Sequence, residues 1–506
     1  MLVRITSAAL HGIEAYPVEV EVDICPGFPT FVTVGLPDAA VRESKERVRA
    51  ALKNCGYDLE SNRVTINLAP ADRRKEGSAF DLPIALGFLA FLEVVPAARL
   101  RDYLFAGELA LDGRLKPVRG GLPIALLARR AGFRGLVVPG ANAREAALVR
   151  GLNVYGLEDM VRVVRLLRDP GQVAPCRFDE KDLVAPPVYP VDFEDVKGQR
   201  HVKRALEVAA AGSHNVLLVG PPGAGKTMLA RRLPTILPDM TYDEILEVTR
   251  VYSAAGLLAG SGTIATRPFR APHHTVTDAG LIGGGLVPKP GEVSLAHHGL
   301  LFLDELPEFR RKVLEDLRQP VEDGRVTVAR SGYSVTFPAA FMLVAAMNPC
   351  ADVRRGLLGK AADCTESEKA RYYAKISGPL VDRIDIQLDV PEVKFDDIVS
   401  RTPAESSAAI RARVTRARER QAARLAGRRV FANGQMGPKD VKRFCALPGE
   451  AEKLLETAVT KLGFRARAFD RVLKVARTIA DLEGSAEIAT PHVAEAIQYR
   501  MMDRLV

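Results

Sequence analysis

Cysteine, low-complexity sequence and long apolar runs are all scarce in this chain of 506 residues, and each shortage closes off a class of protein. The six cysteines (Cys25, Cys55, Cys176, Cys350, Cys364 and Cys445) lie scattered with no C-x-x-C pair, so they form no disulfide framework and suit a reducing cytoplasm. The opening Met1-Leu-Val-Arg-Ile-Thr carries no apolar core of a signal peptide. The most apolar stretch, Leu82 to Val95, is interrupted by Glu93 and falls short of the roughly 20 residues that a spanning helix needs. A soluble cytoplasmic protein without a membrane partner is expected. No repeat at solenoid spacing is present, and a composition of 47% hydrophobic and 26% charged residues excludes a mainly disordered chain. What the chain has in excess is positive charge. A net charge of +9 points to a polyanion, of which nucleic acid is the commonest, although mild basicity is widespread among soluble proteins.

The length exceeds what one hydrophobic core supports, so several domains are expected. Residues 1–168 mix strands (Tyr16 to Val22, Phe31 to Gly35, Val64 to Leu68, Gly135 to Pro139) with helices that open after Asp38, near Asp81 and at Gly121. Pro and Gly recur over 169–191, a linker by composition. A second α/β segment covers 192–392. From 393 to 506 the pattern is helical, with twelve Lys/Arg against four Asp/Glu over 401–450, and Thr490-Pro491 reads as an N-cap and first turn.

Chemistry concentrates in the second segment. Asn215-Val-Leu-Leu-Val runs as an apolar strand into Gly220-Pro221-Pro222-Gly223-Ala224-Gly225-Lys226-Thr227, and a helix opens at Met228. Glycines let backbone N–H groups turn in around phosphate oxygens, and the helix N-terminus adds partial positive charge. Lys226 would reach the β- and γ-phosphates of ATP, and Thr227 would hold Mg²⁺. A chance glycine-rich turn is the bland alternative, and the strand–loop–helix context argues against it. Gly299-Leu-Leu-Phe-Leu-Asp304-Glu305 is a continuous apolar strand ending in two acids, as a strand covered on both faces requires. Asp304 would orient Mg²⁺ and Glu305 would polarise the attacking water. Phe341 to Met347 delivers Asn348 toward the γ-phosphate. Arg383, before the strand Ile384 to Leu388, is placed to reach a neighbouring subunit's γ-phosphate. Arg467, opening an amphipathic helix, is placed to report nucleotide from a lid, with Arg465 and Arg471 as competitors.

These strings, together with Val196-Lys-Gly-Gln, Arg267-Pro-Phe-Arg-Ala-Pro-His-His, Gly280-Leu-Ile-Gly-Gly-Gly and Leu303-Asp-Glu-Leu-Pro-Glu-Phe, resemble the magnesium-chelatase-like AAA+ ATPases of the ComM/YifB group, essentially end to end. The resemblance implies an α/β protein of three parts: a ribosomal-S5-domain-2-like (Lon-protease-like) first domain, an AAA+ P-loop core and a C-terminal helical lid. It implies a hexameric, ATP-driven motor that binds single-stranded or branched DNA and acts as a branch-migration helicase in recombination and natural transformation. Arg267 to Gly285 would be the insert of the helix-2-insert clade, and Glu322 to Phe337 the hairpin before the sensor strand. Arg267, Arg270, Arg325 and Arg330 are the candidate DNA contacts, and Arg411, Arg413, Arg416, Arg418 and Arg420 form a further basic stretch; any one of these charges is also readable as a solvated face.

Two departures matter. Relatives carry a cysteine-rich segment after the asparagine, whereas here Cys350 is followed only by Cys364, and two thiolates cannot close a tetrahedral zinc site. In the first domain the position of the Lon serine falls on Ser78, but that of its lysine falls on Leu122 or Pro123, so a Ser–Lys dyad is absent. Two other functions compete with the motor. Magnesium insertion into porphyrin is opposed by the extra first domain and the lack of an integrin-like partner domain. ATP-dependent proteolysis is opposed by the missing lysine.

Overall fold

The computed structural model describes residues 1–57, 62–178, 189–258, 262–285, 287–330, 333–350, 352, 364–376, 378–393, 395, 404–428, 430–462 and 466–500. They fall into two units, 1–186 with 241–265, and 187–240 with 266–506.

The first unit grows from an alternating pattern. In β2 (Glu14–Pro26), Val18, Val20, Val22 and Ile24 are buried while Glu19, Glu21 and Asp23 fill the other face. β2 pairs antiparallel with β1 (Leu2–His11) and β4 (Asn62–Ala69), and β3 (Thr30–Val34) lies parallel to β4, giving the order β1-β2-β4-β3. Asp38 caps the helix Ala39–Asn54 by accepting from the Val41 amide at 2.8 Å. That helix and the nearly all-buried helix Asp81–Phe91 are pinned by Arg47, which donates from Nε and Nη2 to Asp81 at 2.7 and 3.0 Å. Burial pushes the Asp81 carboxyl up to about 6 against the pull of Arg47. β5 (Tyr103–Phe105), β8 (Gly135–Pro139) and β9 (Asn153–Leu157) make a parallel sheet, with β6 (Glu108–Leu109) and β7 (Leu115–Lys116) a small ladder beside them. The helix Tyr242–Ala255 also belongs here, its Ser253 carbonyl accepting from the Gly120 amide at 3.1 Å. Compactness therefore departs from chain order: residues 241–265, inside the second α/β segment, pack with the first.

The second unit is built on β10 (Val216–Val219), β11 (Phe269–Arg270), β14 (Leu300–Leu303), β17 (Met342–Met347) and β18 (Ile386–Asp389), all parallel, in the order β11-β14-β17-β10-β18. β10, β14 and β17 are buried along their whole length, which is why their sequences run apolar without alternation. Between β11 and β14 stand the helix Asp278–Ile282 and the short ladder of β12 (Gly283–Gly284) with β13 (Lys289–Pro290). Between β14 and β17 stands the hairpin of β15 (Arg325–Arg330) and β16 (Tyr333–Pro338).

After β18 the described residues contain helices and no strand: Ser407–Arg424, Pro438–Phe444, Gly449–Leu462, Ala466–Glu483 and Thr490–Gln498. They share one hydrophobic core with the sheet. Thr490 is not the cap expected from Thr490-Pro491. It is already helical and Ala489 takes the cap position with no side-chain cap; the Ala489 amide donates to His492 Nδ1 at 2.9 Å, the bond that a Glu or Gln in the first turn makes in a capping box. A buried polar network ties these helices to the sheet. His214 meets Asp385 at 3.2 Å and Thr478 at 2.8 Å, and Arg471 pairs with Asp385. Burial pushes the Asp385 carboxyl up, but Arg471 and His214 more than offset this and hold it below the ordinary carboxylate range. Among the described residues no helix is long and apolar enough to cross a membrane.

Candidate nucleotide site

In an open parallel sheet, ligands bind beyond the carboxyl ends of the strands where chain order reverses. Here β10, the first strand in sequence, lies between β17 and β18, and the segments leaving β10, β14 and β17 meet at that edge.

The loop after β10 is shaped by its glycines. A Cβ on Gly220 would stand 2.2 Å from the Val390 carbonyl oxygen, so a side chain there would drive the loop off the sheet. Gly223 and Gly225 hold φ of +83° and +88°, conformations that L side chains rarely adopt, and open space surrounds the Cβ position of Gly223. Pro222 is exposed, whereas Ala224 is buried and its carbonyl accepts from Gln199 Nε2 at 2.9 Å. Lys226 opens the helix Lys226–Ile236, one residue ahead of Thr227 and two ahead of Met228. Its Nζ donates to the Gly220 carbonyl at 2.7 Å, the Pro221 carbonyl at 2.9 Å and Asn348 Oδ1 at 2.9 Å. Burial pushes this ammonium below its ordinary value, opposed by Asp304 and Asp352.

Thr227 Oγ1 donates to Asp304 Oδ2 at 2.7 Å, joining the helix to the end of β14. Glu305 follows in the left-handed region at φ +53°, and its carboxylate lies 3.5 Å from His274 Nδ1. A cavity of about 280 Å³ opens here, lined by Thr227, Arg231, His273, His274, Asp304 and Glu305 among others. Asn348 is steadied from behind, its carbonyl accepting from the Tyr372 hydroxyl at 2.8 Å. These residues fit a nucleotide triphosphate with Mg²⁺. Among the described residues the buried ammonium is hydrogen-bonded only to neutral oxygens that phosphate can replace, and a hydroxyl–carboxylate pair from two elements offers oxygen ligands at the cavity wall. Tyr372 and His274 were missed by sequence reasoning: a tyrosine 24 residues beyond Asn348 and one of two adjacent histidines carry no spacing signal.

The arginines separate by their partners. Arg383 is 8% exposed, and its guanidinium donates to Glu322 Oε2 from Nε at 3.1 Å and from Nη2, and to the Pro379 carbonyl from Nη1 at 2.6 Å. Arg467 lies in the first turn of Ala466–Glu483, and its side chain lies outside the described residues. Arg267 donates to the carbonyls of Pro238, His298 and Asp239, and Arg270 makes a two-pronged pair with Glu292 at 2.6 and 2.7 Å. Arg325 is exposed at the start of β15, while Arg330 ends that strand with its side chain outside the described residues. In the basic stretch Arg411 holds Asp239, Arg413 holds Glu207 and Glu405, Arg418 and Arg420 reach the carbonyls of Ala210 and Asp481, and Arg416 is exposed.

Two side issues resolve locally. Cys350 and Cys364 are joined as a disulfide with Cα atoms 6.4 Å apart, which corrects the reading of both as thiolates. In the first unit Ser78 donates to Glu108, and Leu122 and Pro123 are buried in the helix Gly121–Arg130.

The parallel sheet, phosphate-type loop and acidic strand end define a mixed α/β protein consistent with the AAA+ ATPase class. Comparison with known proteins sharpens this. The family model for magnesium chelatase, subunit ChlI, matches residues 192–398, that for subunit ChlI of Mg-chelatase 20–142, and that for the ChlI C-terminal part 404–500. The competence protein ComM of Haemophilus influenzae is 43% identical, over 100% of this chain and 98% of its own. YifB of Escherichia coli is 42% identical over 99% and 97%. The 67 kDa magnesium-chelatase subunit of Chlorobaculum tepidum is 30% identical over only 34% of this chain and 25% of its own. The chain belongs to the magnesium-chelatase-like ComM/YifB family, whose membership implies an ATPase that uses nucleotide and Mg²⁺.

Proposed function

We propose that this protein is an ATP-driven DNA motor, a homo-hexameric branch-migration helicase of the cytoplasm that acts in recombination and natural transformation. The observation that carries the reading is the pairing of two things: the convergence of Lys226, Thr227, Asp304, Glu305 and Asn348 at one sheet edge, and full-length similarity to a competence protein. In this reading Gly220 to Met228 wraps the phosphates and Thr227 and Asp304 hold Mg²⁺, which supplies charge neutralisation across the phosphates when bound. Glu305 orients and polarises the attacking water, and Asn348 positions it. Arg383 acts on the γ-phosphate of the neighbouring subunit and Arg467 reports nucleotide from the lid formed by 393–506. The first domain, 1–168, is a ribosomal-S5-domain-2-like module without protease chemistry, joined through 169–191 to the core at 192–392.

For DNA, the exposed Arg325 and its strand-mate Arg330 are the better candidates. Arg267 and Arg270 would have to exchange partners they already hold. Magnesium insertion into porphyrin is the weaker reading: the relative that aligns over the whole chain is a competence protein, whereas the 67 kDa magnesium-chelatase subunit aligns over only 34% of it. ATPase rate measured with and without single-stranded and branched DNA tests the proposal. Stimulation by DNA is expected; stimulation by porphyrin instead would transfer the case to the chelatase.

A further inference from the structure

The contact between Arg383 and Glu322 places two parts of the motor in one ion pair. Arg383 has every guanidinium nitrogen engaged inside its own chain, by one Glu322 oxygen and the Pro379 carbonyl. An arginine in that state is parked: to stabilise charge on a neighbouring subunit's phosphate it must exchange the carboxylate for phosphate oxygens. The two partners are unequal, with side-chain exposures of 9% for Arg383 and 61% for Glu322. The carboxylate is therefore the member of the pair that water already reaches.

Where Glu322 sits decides what moves it. It lies in the helix Arg318–Asp323, which Gly324 terminates in the left-handed region at φ +63°, and β15 begins at the next residue. The base of the β15–β16 hairpin is clamped to that turn, because the Ala339 amide donates to the Gly324 carbonyl at 2.8 Å and Arg325 is in register with Pro338. One face of the hairpin (Val326, Val328, Val335, Phe337) is buried, and the other presents Arg325, Thr327 and Ala329. A polyanion pulling on the exposed face therefore acts on a short, stiff unit that ends at the Glu322 carboxylate.

We infer that Glu322 is a positioning residue for Arg383: it parks the arginine when the β15–β16 hairpin is empty and releases it when DNA occupies that hairpin. The inference rests on the finger role proposed above and adds its control. The device makes hydrolysis conditional on DNA through a chain of contacts within one subunit, from Arg325 through Gly324 to Glu322 and Arg383.

The test is steady-state ATPase of full-length Glu322→Gln, with and without single-stranded DNA, beside Arg383→Ala and the double variant. Glutamine keeps the shape and removes the charge, and a site this exposed tolerates it. The DNA-free rate is expected to rise about three- to tenfold, as befits loss of a partly screened charge-assisted pair, with KM for ATP unchanged. The DNA-stimulated rate should stay at the parent level, so the stimulation ratio collapses. The double variant should be as slow as Arg383→Ala. An unchanged DNA-free rate, or a fall in both rates, overturns the parking role while leaving the finger reading intact if Arg383→Ala is slow. Parent-rate hydrolysis by Arg383→Ala instead removes the finger reading itself.

Discussion

At the scale of single residues, the proposed site assigns binding and turnover to different side chains. Lys226 is held by three neutral oxygens, so its charge awaits a phosphate, and Lys226→Ala should abolish tight ATP binding in a filter or fluorescent-nucleotide assay. Glu305 lines the cavity beside His274, and Glu305→Gln should bind ATP like the parent while turnover falls about a hundredfold or more, as loss of a water-activating carboxylate predicts. Parent-rate hydrolysis by Glu305→Gln would show that the catalytic carboxylate lies elsewhere. The identities of these residues were legible in the sequence because a phosphate loop and an acidic strand end need fixed residue types at fixed spacing. Their helpers were not. Tyr372 supports Asn348 through a backbone carbonyl and Glu322 meets Arg383 across 61 positions, contacts that leave no periodicity behind.

At the scale of elements, the joint between the sheet and the terminal helices depends on a buried pair. Arg471→Ala would leave the Asp385 carboxylate, 3% exposed, without its main counter-charge, at a cost of about 3 kcal/mol. Asp385→Asn in the same background should restore part of that loss, since the buried charge itself is then gone. Urea unfolding followed by circular dichroism checks both, and a single-variant loss near zero would mean that water reaches Asp385 and solvates it. Gly220→Ala tests the loop in the same spirit. With only 2.2 Å between its Cβ and the Val390 carbonyl oxygen, the loop must shift and nucleotide affinity should fall at least about tenfold. Buried strands such as Leu300–Leu303 and Met342–Met347 were legible as unbroken apolar runs. The edge strand Leu2–His11 was not, because its alternation lasts only from Val3 to Thr6 and gives way to the buried small residues Ser7, Ala8 and Ala9, so that its register with β2 is what makes it a strand. Likewise the cap of the last helix was misplaced by one residue, because Ala489 holds that position without a side-chain acceptor and its amide is satisfied by the His492 ring, a partner that leaves no capping signature.

At the scale of the whole molecule, charge and assembly carry the account. If the exposed arginines track a phosphate backbone, neutralising about six phosphates, DNA affinity should fall on the order of a thousandfold between roughly 50 and 200 mM salt. Salt-insensitive binding, or no binding, would contradict the motor. The chain's net charge of +9 hinted at such a partner without locating it, because several of the candidate arginines, Arg270, Arg411 and Arg413 among them, are held by carboxylates of the same chain. Likewise the assignment of 241–265 to the first unit was invisible to composition, since the helix Tyr242–Ala255 is amphipathic in the same way as its neighbours.

The central claim is that catalysis is shared between subunits of a DNA-dependent ring, and mixing two inactive variants tests it most directly. Arg383→Ala should bind nucleotide almost normally and hydrolyse it about a thousandfold more slowly, as removal of a finger does. Lys226→Ala should not bind nucleotide, yet keeps its Arg383. When the two are mixed in the presence of DNA and ATP, each Arg383→Ala site that faces a Lys226→Ala neighbour regains both halves. ATPase activity of the mixture is therefore expected to rise well above that of either variant alone. No recovery, in assemblies shown by labelled subunits to contain both variants, would contradict the account and confine Arg383 to its own chain.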